Sequence, residues 1–221
     1  MAYLKCSYCG IFVDEHFRNC PQCGNRLYDD TRKKSHGGGI AAVVLLVFLA
    51  VVGFFALQAY KMYQERAYEE KLRTAVYEIV MSAAESEEAG DLLHVVWYNY
   101  AYNISDPETD KYTRRDNGTG PFYEDINDVI DALFADPEYA ADRNEIVDSQ
   151  YDLANLMREL SDPPEKYKDD FSNLRILYSA YVEFSDIVLN PRGNYQMFTL
   201  KYNEAREKVL NSYYPLSMYM G

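Results

Sequence analysis

Four cysteines stand in two matched pairs, Cys6-Ser-Tyr-Cys9-Gly10 and Cys20-Pro-Gln-Cys23-Gly24, ten residues apart. A CxxCG knuckle turns the backbone tightly, so its two sulfurs face one point, and the trailing glycine permits the positive φ that the turn needs. Two facing knuckles place four thiolates at the corners of a tetrahedron, which suits Zn2+ at a Zn–S distance of about 2.3 Å. A segment of this size buries too little apolar surface to fold by itself. The metal then supplies the folding energy, about 10–16 kcal/mol in comparable small sites. Four sulfurs close the coordination sphere, so the expected zinc is structural rather than catalytic. Two disulfides, an iron–sulfur site and a redox CxxC are the rival readings, and the paired knuckles with their glycines favour zinc. His16, between the knuckles, reads as a solvated loop residue rather than a ligand.

Beyond the cysteines the chemistry is sparse. His94 is the one histidine after residue 39, and the chain has no G-x-S-x-G, phosphate loop or HExxH. Asp106, Glu108, Asp110, Asp116 and Glu124 are rich in oxygen but lack EF-hand spacing. The other carboxylates scatter along helix faces. Tyrosine is the compositional oddity, with 22 in 221 residues. Trp97, Tyr98, Tyr100 and Tyr102 crowd one stretch. Rings of this kind build a helical core with hydroxyls at the rim, or they anchor a partner. Trp97, Tyr98 and Tyr102 are the candidate partner surface, and Tyr98 and Tyr102 fit it better because they fall partly off the apolar stripe described below. The expectation is therefore a non-enzymatic protein. An envelope-associated hydrolase or accessory enzyme is the alternative, and it needs a cleft with paired, perturbed carboxylates.

The element that organises the chain is Ile40–Leu57, eighteen residues without a charge or a proline. Such a run can cross the ~30 Å hydrocarbon core as one helix. A signal peptide would begin at the N-terminus, and a buried soluble helix is the other alternative. Cutting the chain here separates its charge. Residues 1–39 carry six basic and four acidic side chains, and residues 60–221 carry 16 basic and 31 acidic, a net −15. An acidic domain of that size repels nucleic acid. Basic residues flank the run almost equally, so charge alone orients it weakly. Four reduced thiols belong in a reducing compartment. The expectation is a single-pass plasma-membrane protein with the N-terminus cytoplasmic and the C-terminal domain extracytoplasmic.

The segment CSYCGIFVDEHFRNCPQCGNRL resembles the short zinc ribbon at the N-terminus of many single-pass membrane proteins of Gram-positive bacteria. The resemblance implies a small β-hairpin ribbon, one membrane helix and a variable outer domain, and it assigns no chemistry outside. Val96-Trp-Tyr-Asn99, Pro163-Pro164 and Pro191-Arg-Gly-Asn-Tyr195 also resemble an uncharacterised helical outer domain of bacterial membrane proteins and lipoproteins.

The outer region reads as helices. Leu72, Val76, Ile79, Ala83, Ser86, Gly90, Leu93, Trp97, Tyr100 and Ile104 recur with spacings of four and three. No proline interrupts Tyr60–Asp106, so one long helix is expected there. Ser86 and Gly90 mark either a close approach by another helix or a kink. Ser105–Pro121 reads as a loop, and Phe122–Asp136 as a short helix. Asp136-Pro137 starts the next helix, and Ser161-Asp162-Pro163-Pro164 stops it and caps the one after. Tyr195–Tyr213 is the last helix, using Phe198, Tyr202, Ala205 and Val209. The expected organisation is mainly α: zinc ribbon over 1–27, basic and glycine-rich linker over 28–39, transmembrane helix over 40–59, and a bundle of three to four long helices over 60–221. The expected partners are the lipid bilayer and a protein or cell-envelope component, with a homo-oligomer left open.

Overall fold

The structure is a computed structural model that describes residues 2–28 and 37–220, with side chains from residue 43 onward in the second stretch. Most of the linker expected over 28–39 lies outside the described residues. Two compact units divide the chain, residues 1–57 and 58–221.

The first unit opens on a two-stranded antiparallel hairpin, β1 (Tyr3–Lys5) and β2 (Phe12–Asp14), with Leu4 opposite Val13. It closes with the first part of helix α1 (Gly37–Ala101). That helix takes in the triple glycine Gly37–Gly39, which the linker reading had placed before it. Twelve large apolar side chains between Val43 and Leu57 are all exposed. The window has mean hydropathy 2.5 and is 0% buried. A core helix of a soluble domain would bury such a stripe, so the buried-helix alternative fails. This helix is long and apolar enough to cross a membrane.

The second unit contains the rest of α1, then α2 (Asp110–Thr113), α3 (Ile126–Phe134), α4 (Pro137–Glu159), α5 (Lys168–Leu189) and α6 (Tyr195–Tyr213). Two 3-10 segments, Glu165–Tyr167 and Tyr214–Met220, precede α5 and follow α6. Polar ties fix the directions of the long helices. Tyr139 Oη donates to the Ala89 carbonyl near the far end of α1, and Tyr68 Oη donates to the Leu160 carbonyl near its other end. Thus α4 runs against α1. Arg143 donates to the Leu189 carbonyl and Tyr68 stacks on Tyr167, so α5 runs against α4. Tyr202 reaches Glu87 and Asp91, and α6 runs against α1. The result is an up-down-up-down bundle, as short connections favour.

The expected stripe is the core of α1. Leu72, Val76, Ile79, Ser86 and Leu93 are fully buried, and Ala83 and Trp97 nearly so. Gly90 is the point of close approach. A Cβ there would lie 2.4 Å from Tyr202 Cε2, so α6 presses against bare backbone and α1 does not break.

Several boundaries differ from the sequence reading. Helix α1 stops at Ala101, short of Asp106. Asn103 takes φ +50°, its N–H bonds to the Tyr100 carbonyl, and the Ile104 N–H bonds to the Asn99 carbonyl. This is a left-handed cap that satisfies the last carbonyls. The expected loop holds a helical turn, α2, with Tyr112 and Thr113 buried. Phe122 pairs with Arg114 as a lone bridge, and α3 begins only at Ile126, capped by Asp125. Asp136 caps α4 as expected, accepting from Glu138 N and Tyr139 N with Pro137 in the first turn. Asp162 caps nothing: the chain turns through Pro164 into the 3-10 segment, and α5 has no side-chain cap.

Candidate metal centre

The hairpin delivers the first knuckle. Between its strands, the Cys6 N–H donates to the Ile11 carbonyl and the Gly10 N–H donates to the Cys6 carbonyl, each at 2.9 Å. The second knuckle repeats both bonds at the same sequence offsets. The Cys20 N–H donates to Asn25 O at 2.8 Å, and the Gly24 N–H donates to Cys20 O at 2.7 Å. A bridge between Asn19 and Arg26 flanks it as the strands flank the first. Gly10 and Gly24 sit at φ +78° and +75°, the left-handed region that glycine enters without strain.

The two turns bring Cys6, Cys9, Cys20 and Cys23 together, with all four sulfurs within 4.8 Å of one another. Cys6 Sγ lies 3.7 Å from Cys23 Sγ, and Cys9 Sγ lies 3.5 Å from Cys20 Sγ. A disulfide needs about 2.05 Å, and all four cysteines are free. A tetrahedral ion with bonds of about 2.3 Å has sulfur–sulfur edges of about 3.8 Å. These two separations lie close to that edge, and the group has room for one ion. Cys6 and Cys20 are buried, Cys23 is half-buried and Cys9 is exposed. The apolar support is small: Val13 is buried, with Ile11 and Leu27 packed beside it.

Electrostatics distinguish the two members of each knuckle. The Cys9 and Tyr8 N–H groups aim at Cys6 Sγ and bring its thiol down to about 6. At Cys20 burial opposes ionisation, but the Gln22 and Cys23 N–H groups outweigh it and the thiol is lowered. At Cys9 the Ile11 N–H favours the anion, yet desolvation and the other three sulfurs override it and push the thiol up to about 12. At Cys23 the Asn25 N–H and the Cys9 sulfur favour the anion, but desolvation and the Cys20 and Cys6 sulfurs raise the thiol. Four thiolates at this spacing require a cation among them, as nearby like charges disfavour ionisation. His16 stays outside: its ring is exposed and Nδ1 contacts Asp14 Oδ1 at 2.6 Å.

The aromatic candidates separate. Trp97 is 3% exposed and stacks on Phe198 at 4.9 Å, so its ring belongs to the core and offers no surface. Tyr98 and Tyr102 are 41% and 53% exposed, with centroids 4.9 Å apart. Tyr195 joins them, 5.6 Å from Tyr98 and 5.9 Å from Tyr102. The sequence reading left Tyr195 out of this surface, taking it as the start of the last helix. His94 Nε2 lies 3.1 Å from both Tyr195 Oη and Thr199 Oγ1, and burial lowers its pKa.

The oxygen-rich loop spends its carboxylates on itself. Asp106 accepts from Asn99 and Thr109, and Asp110 accepts from Ser105 Oγ and from the Asp106 N–H. Among the described residues, the four cysteines are the one group arranged to hold a metal. Burial first, and then Glu145 and Glu78, raise the pKa of the Glu85 carboxyl. A groove of about 200 Å3 between α1 and α6 has one carboxylate in its lining, Glu87, which pairs with Arg206.

Comparison of the chain with family models, with curated proteins and with solved structures returns no match.

Proposed function

We propose that the chain is a non-enzymatic single-pass membrane protein of the bacterial cell envelope. A structural zinc ribbon on the cytoplasmic side contacts one partner, and an extracytoplasmic helical bundle binds a protein or an envelope component. The observation that carries the reading is the closed set of four sulfurs at tetrahedral separations, in one chain with an apolar helix whose side chains are all exposed. Zinc is the proposed ion because two CxxC pairs closing a four-thiolate site are the pattern of structural zinc ribbons, and the closed set leaves no position for a substrate. The resemblance to Gram-positive ribbon proteins supports the same arrangement, and the reduced cysteines support its orientation.

On the outer domain, Tyr98 and Tyr102 with Tyr195 supply the partner surface. Tyrosine rings offer large, rigid contact area at low entropic cost. The alternative is an envelope-associated hydrolase or accessory enzyme with its site in this outer domain.

Metal analysis of the purified full-length chain tests the first half: one zinc per chain is expected, and iron or no metal would sink it. For the second half, the double variant Tyr98→Ala/Tyr102→Ala is expected to lose crosslinks formed in intact cells while melting at the parent temperature. Unchanged crosslinks would remove the surface assignment.

A further inference from the structure

The ribbon exposes every aromatic ring it has. Tyr3, Tyr8, Phe12, Phe17 and Tyr28 are 60%, 78%, 69%, 53% and 50% exposed. A small domain with a metal at its centre has little core to fill, but it does not need five large rings on its surface. Register places two of them together. Side chains alternate along a strand, and paired residues share a face. The pairs Leu4–Val13 and Lys5–Phe12 therefore point to opposite sides, and Tyr3–Asp14 joins the latter. Val13 is buried against the sulfurs, so Tyr3, Lys5 and Phe12 form the outer face, a cation between two rings.

We infer that this face docks on the anionic lipid surface beside the membrane helix. The inference rests on the proposed membrane anchoring. Three observations favour lipid over a protein. The first is reach: eight residues, 29–36, separate the ribbon from α1. Fully extended they span about 29 Å, so an anchored ribbon cannot leave the vicinity of the headgroups. The second is composition. Rings with a polar edge, and long basic side chains, are the groups that settle at the headgroup level. The third is charge. Lys5, Arg18 and Arg26 outnumber Asp14 and Glu15 in the ribbon. On the docking face itself Asp14, which the His16 N–H and ring contact, offsets Lys5, so the excess of positive charge comes from Arg18 and Arg26 elsewhere in the ribbon. Attraction between basic side chains and anionic headgroups then adds to burial of the rings.

The test uses the full zinc-loaded chain in phosphatidylcholine vesicles containing phosphatidylglycerol, with lipids brominated near the headgroup as quencher for the ribbon face and lipids brominated deep in the acyl chain as quencher for the span. The parent has one tryptophan, Trp97, which is buried and supplies the background. Phe12→Trp reports on the ribbon face, and Phe48→Trp, in the apolar run, reports on the span. Docking predicts that brominated lipid removes most of the emission that each substitution adds. It also predicts that Lys5→Glu with Tyr3→Ser restores the emission of Phe12→Trp while zinc content stays at the parent level. Quenching at Phe48→Trp with none at Phe12→Trp overturns the docking and leaves the anchoring intact, which is the result expected if the rings serve a protein. Quenching at neither overturns both.

Discussion

The ribbon and the outer bundle solve the same problem by opposite means. The ribbon leaves all five aromatic rings in solvent and buries two sulfurs and Val13. The bundle takes Tyr139, Tyr181, Phe184 and Phe198 into a continuous core. On the proposed reading one unit is held by coordination of a metal, the other by apolar surface removed from water. A chain of 27 residues has too much surface for its volume to fold on burial alone, whereas residues 58–221 do not. What would destroy one should therefore leave the other standing.

The largest expected effect follows directly. A strong chelator, or Cys20→Ser, should abolish the ribbon's structure, because binding energy of about 10–16 kcal/mol is also its folding energy. Metal content should fall to zero while the helical circular-dichroism signal and its melting transition persist. Loss of the helical signal on chelation would break the contrast. Leu177→Ala is the converse. That side chain is fully buried on α5, so truncation should cost about 2–5 kcal/mol and lower the melting temperature with zinc retained.

A smaller effect belongs to Asp136. It caps α4 and accepts from Lys111 Nζ at 2.9 Å and Tyr112 Oη at 3.0 Å. Lys111 first, with Tyr112 and the Glu138 and Tyr139 amides, holds its carboxyl down at about 2. A depressed acid stabilises the fold above its unfolded value, about 3.9, and that contribution fades as pH falls from there through the folded value. Asp136→Ala should cost about 1–2 kcal/mol at neutral pH. Its melting temperature should also depend less on pH than the parent's between about 4 and 2. The smallest effect is Tyr181→Phe. The Tyr181 hydroxyl is buried and forms no hydrogen bond of ordinary geometry, although the Ser82 and Ser185 side chains lie near it, and burial pushes it up to about 12. Removing it should leave stability unchanged or improve it, by under about 1 kcal/mol. A clear loss would show that the hydroxyl is engaged.

Legibility in the sequence followed the range of the interaction. The four ligands could be read because each knuckle is five residues long and carries its own glycine. Tyr195–Tyr213 appeared where expected, with Phe198, Tyr202, Ala205 and Val209 all buried, because a 3.6-residue period is a local signal. The end of α1 was missed because the apolar stripe runs on to Ile104 while Asn103 turns the backbone left-handed. The stripe already pointed Trp97 inward, but its stacking partner, Phe198, comes 101 residues later and could not be read. The 3-10 tail, with Leu216 and Tyr219 buried and Tyr219 Oη on Asp170 at 2.7 Å, is too short to show a period.

The notch at Gly90 has a mechanical consequence. The Tyr202 ring fills the space that a side chain would occupy, and its hydroxyl is fastened to the Glu87 carbonyl and to Asp91 Oδ1. Neighbouring positions on α1 carry a Cβ, so a shift of α6 by even one residue's rise, about 1.5 Å, drives the ring against filled space. The pair is latched against sliding. A push or pull along α1 would therefore carry α6 with it.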